Sequence, residues 1–268
     1  MKTGFSILFI AQLISHSTSA LAAPDSAAMQ DMVLIPGGQY VPFVIQKGDK
    51  SNLKSEGKQT PVILHQYWMD RYPVSNQGFL SFVKSNPEWR KFSARRVFAD
   101  AHYLGDWKSD LSFQPLRSHS PVTHVSWFAA KAYCESLGKD LPTTDQWEYA
   151  LADQGRDQSK LKQKILSWYG KPHAQKLSIV ESGKPNGFGI YNLAGLIWEW
   201  TQDFNSLLVG QETRDSDAKD ANLFCAGGSQ ITNDTTNYAA FMRYSFRSSL
   251  KASFTTGDLG FRCAKDDP

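Results

Sequence analysis

The sequence has little net charge, few cysteines and no long apolar run beyond its first residues. A formal net charge of +3 over 268 residues gives no reason to expect nucleic acid or an anionic membrane surface as a partner. Three cysteines, Cys134, Cys225 and Cys263, allow one disulfide and leave one thiol over. There is also no internal repeat, low-complexity tract or linker, so we expect one domain with a core of ordinary size.

The N-terminus has the pattern of a secretory signal peptide. Lys2 is followed by an apolar run from Phe5 to Ile14 and then by small residues that include Ala20 and Ala22. Because the run is too short to span a bilayer, we expect cleavage after Ala22 rather than a membrane anchor. The prediction is a signal peptide over residues 1–22 and an exported domain over residues 23–268, located in the periplasm, with no membrane contact after cleavage.

The first half of the mature chain alternates strand and helix signals. Residues 31–43 predict a strand, a Pro-Gly-Gly turn and a second strand, and residues 62–75 predict a further strand. Ser75 caps a predicted helix over residues 76–84. Residues 86–120 are rich in aromatic side chains but have no period, which is typical of irregular structure.

Two further helices are predicted in the middle of the chain. Ser126 is a suitable N-cap for a helix that ends near Gly138 and presents Trp127, Ala130, Tyr133, Cys134 and Leu137 on one face. Thr143 and Gln146 fit a capping box for a helix within residues 141–154. With short strands and turns predicted over residues 189–268, the fold class is α+β.

Five motifs in a fixed order then point to a known family. They are "MVLIPGG", "PVTHVSWFAAKAYCESLGKDLPTTDQWEYA", "NGFGIYNLAGLIWEW", "AGGS" and "LGFRCA". Together they resemble the formylglycine-generating enzyme family, also called the sulfatase-modifying-factor family, from about residue 32 to residue 265. The resemblance implies a single compact domain related to C-type lectins, with little regular secondary structure.

The copper site that the resemblance would imply is missing from the sequence. True formylglycine-generating enzymes hold copper with two cysteines that follow a "GGS" motif, which here is Gly227-Gly228-Ser229. The two positions expected for those cysteines fall near Asp234 and Ala239, and neither side chain can bind soft Cu(I). We therefore predict no copper site and reject genuine formylglycine-generating activity.

An iron site is not recognisable either. A mononuclear iron centre needs clustered histidine and carboxylate ligands. The five histidines of the mature chain do not pair at helical spacing, and the helical domain of the related sulfoxide synthases is absent. His124, in "PVTHVSW", is interpreted as a satisfied buried imidazole.

The resemblance also assigns the cysteines. Family members with cysteines at the positions of Cys134 and Cys263 join them, so we expect that disulfide here. It would close a loop worth roughly 4–5 kcal/mol in the chain-entropy view. Cys225 is then the odd thiol, either a small buried apolar residue or a reactive group near the floor of the cleft.

The stretch "NLAGLIWEW" commonly carries calcium in this family. The matching ligands are the side chains of Asn192 and Glu199 and the carbonyls of Gly195 and Ile197, all oxygens, as a hard cation requires. One departure is Leu196, which replaces an asparagine of the usual motif but is not a ligand. The alternative is a salt bridge from Glu199 that holds the loop.

The remaining cleft candidates are also implied by the resemblance. Trp198 is expected to line the active cleft, together with Ser229 and Arg247. Arg247 either recognises a peptide or carboxylate or pairs with an acid such as Asp258. Arg262, within "GFRC", is expected to be structural.

These observations predict a function of the maturation kind. The resemblance, which includes a periplasmic protein that matures the siderophore pyoverdine, implies an exported factor that oxidises, or assists oxidation of, a peptide-like or protein substrate. The alternatives are a non-catalytic ligand- or protein-binding module and an accessory protein of a periplasmic metalloenzyme. Only the resemblance favours an oxidoreductase, and the residues alone leave open whether the protein is an enzyme.

Overall fold

The regular elements are short and are separated by long irregular connections. The computed structural model describes residues 31–40, 61–152, 167, 177–204 and 249–267. In these ranges the strands are β1 Met32–Ile35, β2 Gly38–Tyr40, β3 Val62–Leu64, β4 Tyr67–Asp70, β5 Trp198–Glu199, β6 Leu259–Gly260 and β7 Ala264–Asp266. The α-helices are α1 Asn76–Ser85, α2 Trp127–Ser136 and α3 Thr144–Leu151. Two short 3-10 helices, Pro87–Trp89 and Pro115–Arg117, interrupt the aromatic segment that was predicted to be irregular.

The strands form three small sheets. An antiparallel sheet has the order β1-β4-β7, β2 pairs with β3, and β5 pairs with β6 in parallel. The turn predicted after β1 exists, but β1 and β2 do not pair with each other, because each finds its partner in the segment after residue 60. A side chain at Gly37 would lie 2.8 Å from the carbonyl oxygen of Leu64, so only glycine fits where the turn passes β3.

The predicted helix caps are confirmed. Ser75 and Ser126 accept hydrogen bonds from the amides of Gly78 and Ala129, and Thr143 and Gln146 form the capping box of α3. The predicted core face of α2 was wrong at one position. Leu137 is exposed because the helix ends at Ser136 and Leu137 is its C-cap residue.

The buried side chains in the described ranges form two cores. The first core joins α1, α2 and the aromatic segment, and its centre includes Phe79, Trp107, Val125, Trp200 and Phe261. The second core packs α3 against β1 and β4 and includes Ile35, Tyr67, Met69, Trp147 and Ile190. The C-terminal segment contributes Leu259, Phe261 and Cys263 to the first core.

The disulfide between Cys134 and Cys263 is present, as predicted. Its Cα atoms are 5.6 Å apart, it spans 129 residues in sequence, and both residues are fully buried. Beside it, Lys139 pairs with Asp70 at 2.7 Å, and Asp70 accepts a hydrogen bond from the amide of Cys263. The C-terminal segment is therefore tied covalently to α2 and by hydrogen bonds to β4.

The observed architecture is α+β with little regular secondary structure, as the sequence predicted. None of the helices in the described ranges is long and apolar enough to cross a membrane. The predicted signal peptide, residues 1–22, lies outside the described residues.

Candidate functional site

The stretch from Gly189 to Phe204 begins as a curled loop and ends against the core. Gly189, Asn192 and Gly195 all have positive φ, at 85°, 57° and 106°. Three left-handed residues so close together prevent a helix and curl the chain before β5. The two-residue strand β5 then places Trp198 and Glu199 beside β6.

The carboxylate of Glu199 is the most heavily bonded side-chain group in this loop. The Nε and Nη2 atoms of Arg262 donate to its two oxygens at 2.8 Å each, and the indole of Trp147 donates at 2.8 Å. The side chains of both Glu199 and Arg262 have no exposed surface. This is the bidentate, charge-assisted pair that a buried carboxylate requires, and it is the salt bridge that was the alternative interpretation of Glu199.

Arg262 connects the loop to two other parts of the molecule. Beyond Glu199, its guanidinium donates to the carbonyls of Asp70, Arg71 and Tyr191. The end of β4, the curled loop and the C-terminal segment therefore converge on one side chain. The expectation that Arg262 is structural agrees with these contacts.

The loop retains oxygens that a hard cation could use. Among the described residues, no donor reaches the carbonyls of Gly195 and Ile197, and the amide of Asn192 uses only its Nδ2, which donates to Val180. Glu199 receives three hydrogen bonds where a carboxylate offers about four lone-pair positions. Oxygens of these types are the ligands that calcium prefers, and the calcium site stays a prediction.

The two tryptophans that flank Glu199 have different environments. Trp200 is fully buried in the first core, and its indole donates to the carbonyl of Val125 at 2.9 Å. Trp198 is half-buried and packs against the outside of that core, and its amide donates to the carbonyl of Asp258 at 2.7 Å. The role of Trp198 in a cleft stays a prediction.

The other predicted cleft residues cannot be placed beside Trp198. Cys225, Ser229 and Arg247 all lie outside the described residues. The disulfide nevertheless identifies the free cysteine among these residues. Because Cys134 and Cys263 are joined to each other, Cys225 is the one cysteine of the sequence left to carry a thiol.

His124 is less satisfied than the sequence suggested. Its backbone has φ 56°, its ring lies between Gly105 and Gly257, and its buried Nδ1 atom has no hydrogen-bond partner. Nε2 is 3.8 Å from the carboxylate of Asp106. Burial lowers the pKa of His124, although the charge of Asp106 opposes the shift. Within the described ranges, no three histidine, cysteine or acidic side chains are grouped as a metal would require.

Sequence reasoning missed Trp147 as a partner of Glu199. Its spacing within α3 marks it as a core residue, and nothing in the local pattern shows that its indole faces a carboxylate 52 positions away. The capping box at Thr143 is the signal that fixes the start of α3, and through it the direction of Trp147.

A family model matches almost the full length of this chain. Residues 18–267 match the sulfatase-modifying factor enzyme 1-like domain. The chain belongs to the formylglycine-generating enzyme family. The formylglycine-generating enzyme of Streptomyces coelicolor is 30% identical, over 93% of this chain and 95% of its own.

Two further proteins are similar to this chain over most of its length. The inactive C-alpha-formylglycine-generating enzyme 2 of Bos taurus is 26% identical, over 87% of both chains. The solved structure of PvdO from Pseudomonas aeruginosa aligns with a TM-score of 0.45 and 16% identity, over 88% of this chain and 94% of that one. Membership of the formylglycine-generating enzyme family accounts for the irregular α+β fold described above.

Proposed function

We propose that this protein is an exported maturation factor that binds a peptide-like or protein substrate in the periplasm and assists its oxidation. It does so without the copper chemistry of a formylglycine-generating enzyme. The proposal combines the family, the predicted signal peptide over residues 1–22 and the cysteine usage of the chain.

The cysteines are the observation that supports maturation without copper chemistry. A Cu(I) site of the family type needs two thiolates. Here two of the three cysteines are buried and bonded to each other, which leaves Cys225 alone. One thiol cannot supply the pair, and the positions near Asp234 and Ala239 carry no sulfur.

The missing thiolate pair also favours a second function. The protein would then be a non-catalytic binding module or an accessory protein of a periplasmic metalloenzyme. Loss of the thiolate pair removes the known redox centre and leaves a fold that can still bind a ligand. A relative named as inactive, at 26% identity, supports this alternative. Both functions share a substrate- or partner-binding surface and differ in whether the bound molecule is changed.

The experiment that separates them uses the mature chain, residues 23–268. The purified protein is analysed for bound copper, iron and calcium, and it is incubated in air with a cysteine-containing sulfatase peptide that is then examined by mass spectrometry. We expect no stoichiometric copper and no conversion of the cysteine to formylglycine. Conversion that survives in a Cys225→Ser variant would contradict the proposal outright.

Oxidation of other peptide-like substrates is followed with the same protein and with Cys225→Ser. Any oxidised product that depends on the protein supports the maturation factor. Binding of a substrate without any product, in both proteins, favours the binding module.

We also propose a structural calcium ion in the loop, held by Asn192, Gly195, Ile197 and Glu199. Its chemistry would be electrostatic, since it would draw neutral loop oxygens together and take no part in a reaction. A cation that binds only the folded state adds about 2.7 kcal/mol at a hundred times its Kd. We therefore expect calcium, and not magnesium, to raise the Tm.

The variant that tests this calcium site is Asn192→Gly. Glycine adopts the positive φ of Asn192 while removing the side-chain oxygen, whereas a change at Glu199 would also leave Arg262 without its partner. The variant should lose most of the calcium-dependent rise in Tm. A wild-type Tm that is the same in calcium and in EDTA would rule the site out.

A further inference from the structure

Four half-buried aromatic side chains form a continuous row along the surface. The ring centroids are 6.0 Å apart for Trp89 and Phe98, 5.2 Å for Phe98 and Phe128, and 5.5 Å for Phe128 and Trp127. We call these residues the aromatic row. Each of the four residues is partly exposed, so the row is neither core nor isolated apolar surface.

The row begins in the aromatic segment and ends beside the Gly189–Phe204 stretch. At that end, the indole of Trp127 donates to the carbonyl of Thr201 at 2.9 Å, and its ring packs 5.9 Å from Phe204. A ligand that followed the row would therefore run from the 3-10 helix Pro87–Trp89 toward the loop that carries Trp198.

The backbone beneath the row is fixed by hydrogen bonds. The hydroxyl of Tyr103 donates to the carbonyl of Trp89, and the guanidinium of Arg90 donates to carbonyls at the end of α1. The amide of Trp127 donates to the carbonyl of Ala252. A surface that is already ordered loses little conformational entropy when it binds, which favours affinity.

Two exposed arginines lie at the outer end of the row. The guanidinium of Arg95 lies 5.8 Å from the centre of the Phe98 ring, and Arg96 is exposed with no ion pair or hydrogen bond among the described residues. At the inner end, Lys131 lies over Trp127 but is neutralised by Glu135 at 2.7 Å and Asp140 at 3.5 Å. An acidic ligand group would therefore meet its strongest attraction at Arg95 and Arg96.

Exposed apolar side chains accompany these two arginines. Phe92 is 74% exposed and Val97 is 62% exposed, within the consecutive turns that contain Arg95 and Arg96. The carboxylates of Asp100 and Asp110 accept hydrogen bonds from Thr255 and from the amide of Phe92, and among the described residues neither forms an ion pair with Arg95 or Arg96; Glu88 is exposed nearby. Aromatic rings and arginine together are the composition enriched at protein interfaces.

We propose that the aromatic row, with Phe92, Arg95 and Arg96 at its outer end, docks an extended polypeptide segment that carries an acidic residue beside an apolar one. The apolar side chain would cover the rings, and the carboxylate would meet the arginines. The inference deepens the proposed function and rests on it, because it gives the peptide-like substrate a place on the protein.

The test measures binding by the mature protein, with fluorescence anisotropy of a short fluorescein-labelled peptide in which aspartate alternates with phenylalanine and leucine. The same peptide with lysine for aspartate is the charge control. We expect the acidic peptide to bind and the lysine peptide to bind at least about tenfold more weakly.

Two exposed changes should weaken the binding, and two matched changes should not. Arg96→Glu and Phe92→Ser are each expected to raise the Kd about fivefold or more, an effect that corresponds to roughly 1 kcal/mol. Lys184→Glu reverses an exposed charge outside the row, and Ile63→Ser removes an apolar side chain that is 74% exposed on β3. Both controls should leave the Kd within about twofold.

Several outcomes would overturn the docking surface. They are no binding of either peptide, equal losses in the controls, and a preference for phosphatidylglycerol vesicles over the acidic peptide. The last would make the row a membrane contact instead. If substrate oxidation is observed while these peptides do not bind, the docking surface alone is wrong. If the peptide binds as expected but no substrate is oxidised, the surface stands and the maturation function fails.

Discussion

The Gly189–Phe204 stretch and the aromatic segment, residues 86–120, are both rich in aromatic side chains but are held in different ways. The first converges on a buried ion pair between Glu199 and Arg262. The second is held by separate hydrogen bonds and by the partly exposed ion pair of Arg117 and Asp106. For example, Trp107 donates to the buried amide of Asn76, and Asp100 accepts from both the amide and the hydroxyl of Thr255.

This difference separates a region that tolerates little change from one that can present side chains to a partner. When one member of a buried ion pair is removed, the other is left as a buried charge without a partner. A single substitution in this pair is therefore expected to destabilise the loop strongly. Separate hydrogen bonds and a partly exposed ion pair can each be lost without leaving a fully buried charge unpaired. The aromatic segment can therefore keep Phe92 and Val97 exposed on an ordered backbone without endangering the core.

The largest expected effect is at Arg262. Replacing it by methionine in Arg262→Met leaves the Glu199 carboxylate fully buried with only the Trp147 indole as a donor. We expect the free energy of unfolding to fall by about 3–5 kcal/mol, measured by urea denaturation of the mature protein.

The double variant Arg262→Met with Glu199→Gln is its control. It removes both charges and should recover a large part of the lost stability, because no buried ion is left without a counter-charge. If the double variant is less stable than the single one, the ion pair is not what holds the loop, and the contrast between the two regions disappears.

The sequence predicted the helix caps, the disulfide and the family because each depends on local or motif information. Ser126 and Thr143 begin helices through contacts only three residues long. The contacts that build the site are of another kind. Glu199 meets Trp147 and Arg262 across 52 and 63 positions, and only the folded chain brings them together.

The aromatic segment was the part that the sequence could not resolve. Its side chains follow no helix or strand period, because contacts with α1, α2 and the C-terminal segment determine which of them are buried. Asn76 illustrates this. The pattern marks it only as the first residue of α1, yet its side chain bonds three carbonyls of residues 117–121 and the indole of Trp107.

A smaller effect is expected at Asp100. Asp100→Asn places an amide nitrogen where the carboxylate accepts from the backbone and hydroxyl of Thr255, which is buried. We expect a loss of about 1–3 kcal/mol in urea denaturation. Asp110→Asn, at an exposed hydrogen bond to the amide of Phe92, is the matched control and should cost less than about 0.5 kcal/mol. Equal losses would mean that burial does not set the strength of these contacts.

The smallest effect is a dependence of stability on pH at His124, where the aromatic segment meets the C-terminal segment. Its ring is faced by Asp106, His102 and Arg117, and burial is the main reason that its pKa lies below the ordinary value of 6.5. The unfolded chain therefore takes up this proton first as the pH falls. The contribution of neutral His124 to stability is present above about pH 6.5 and is lost as the pH falls toward the lower pKa of the folded state.

His124→Asn isolates this contribution, because asparagine tolerates the positive φ of the site and does not titrate. Unfolding free energies are measured for both proteins between about pH 7.5 and about pH 5.5. Other groups titrate equally in both, so the difference between the two curves belongs to residue 124. The wild type should lose more stability than the variant over this range. Parallel curves would show that the buried Nδ1 atom does not oppose protonation, and that Asp106 compensates fully for the desolvation of the ring.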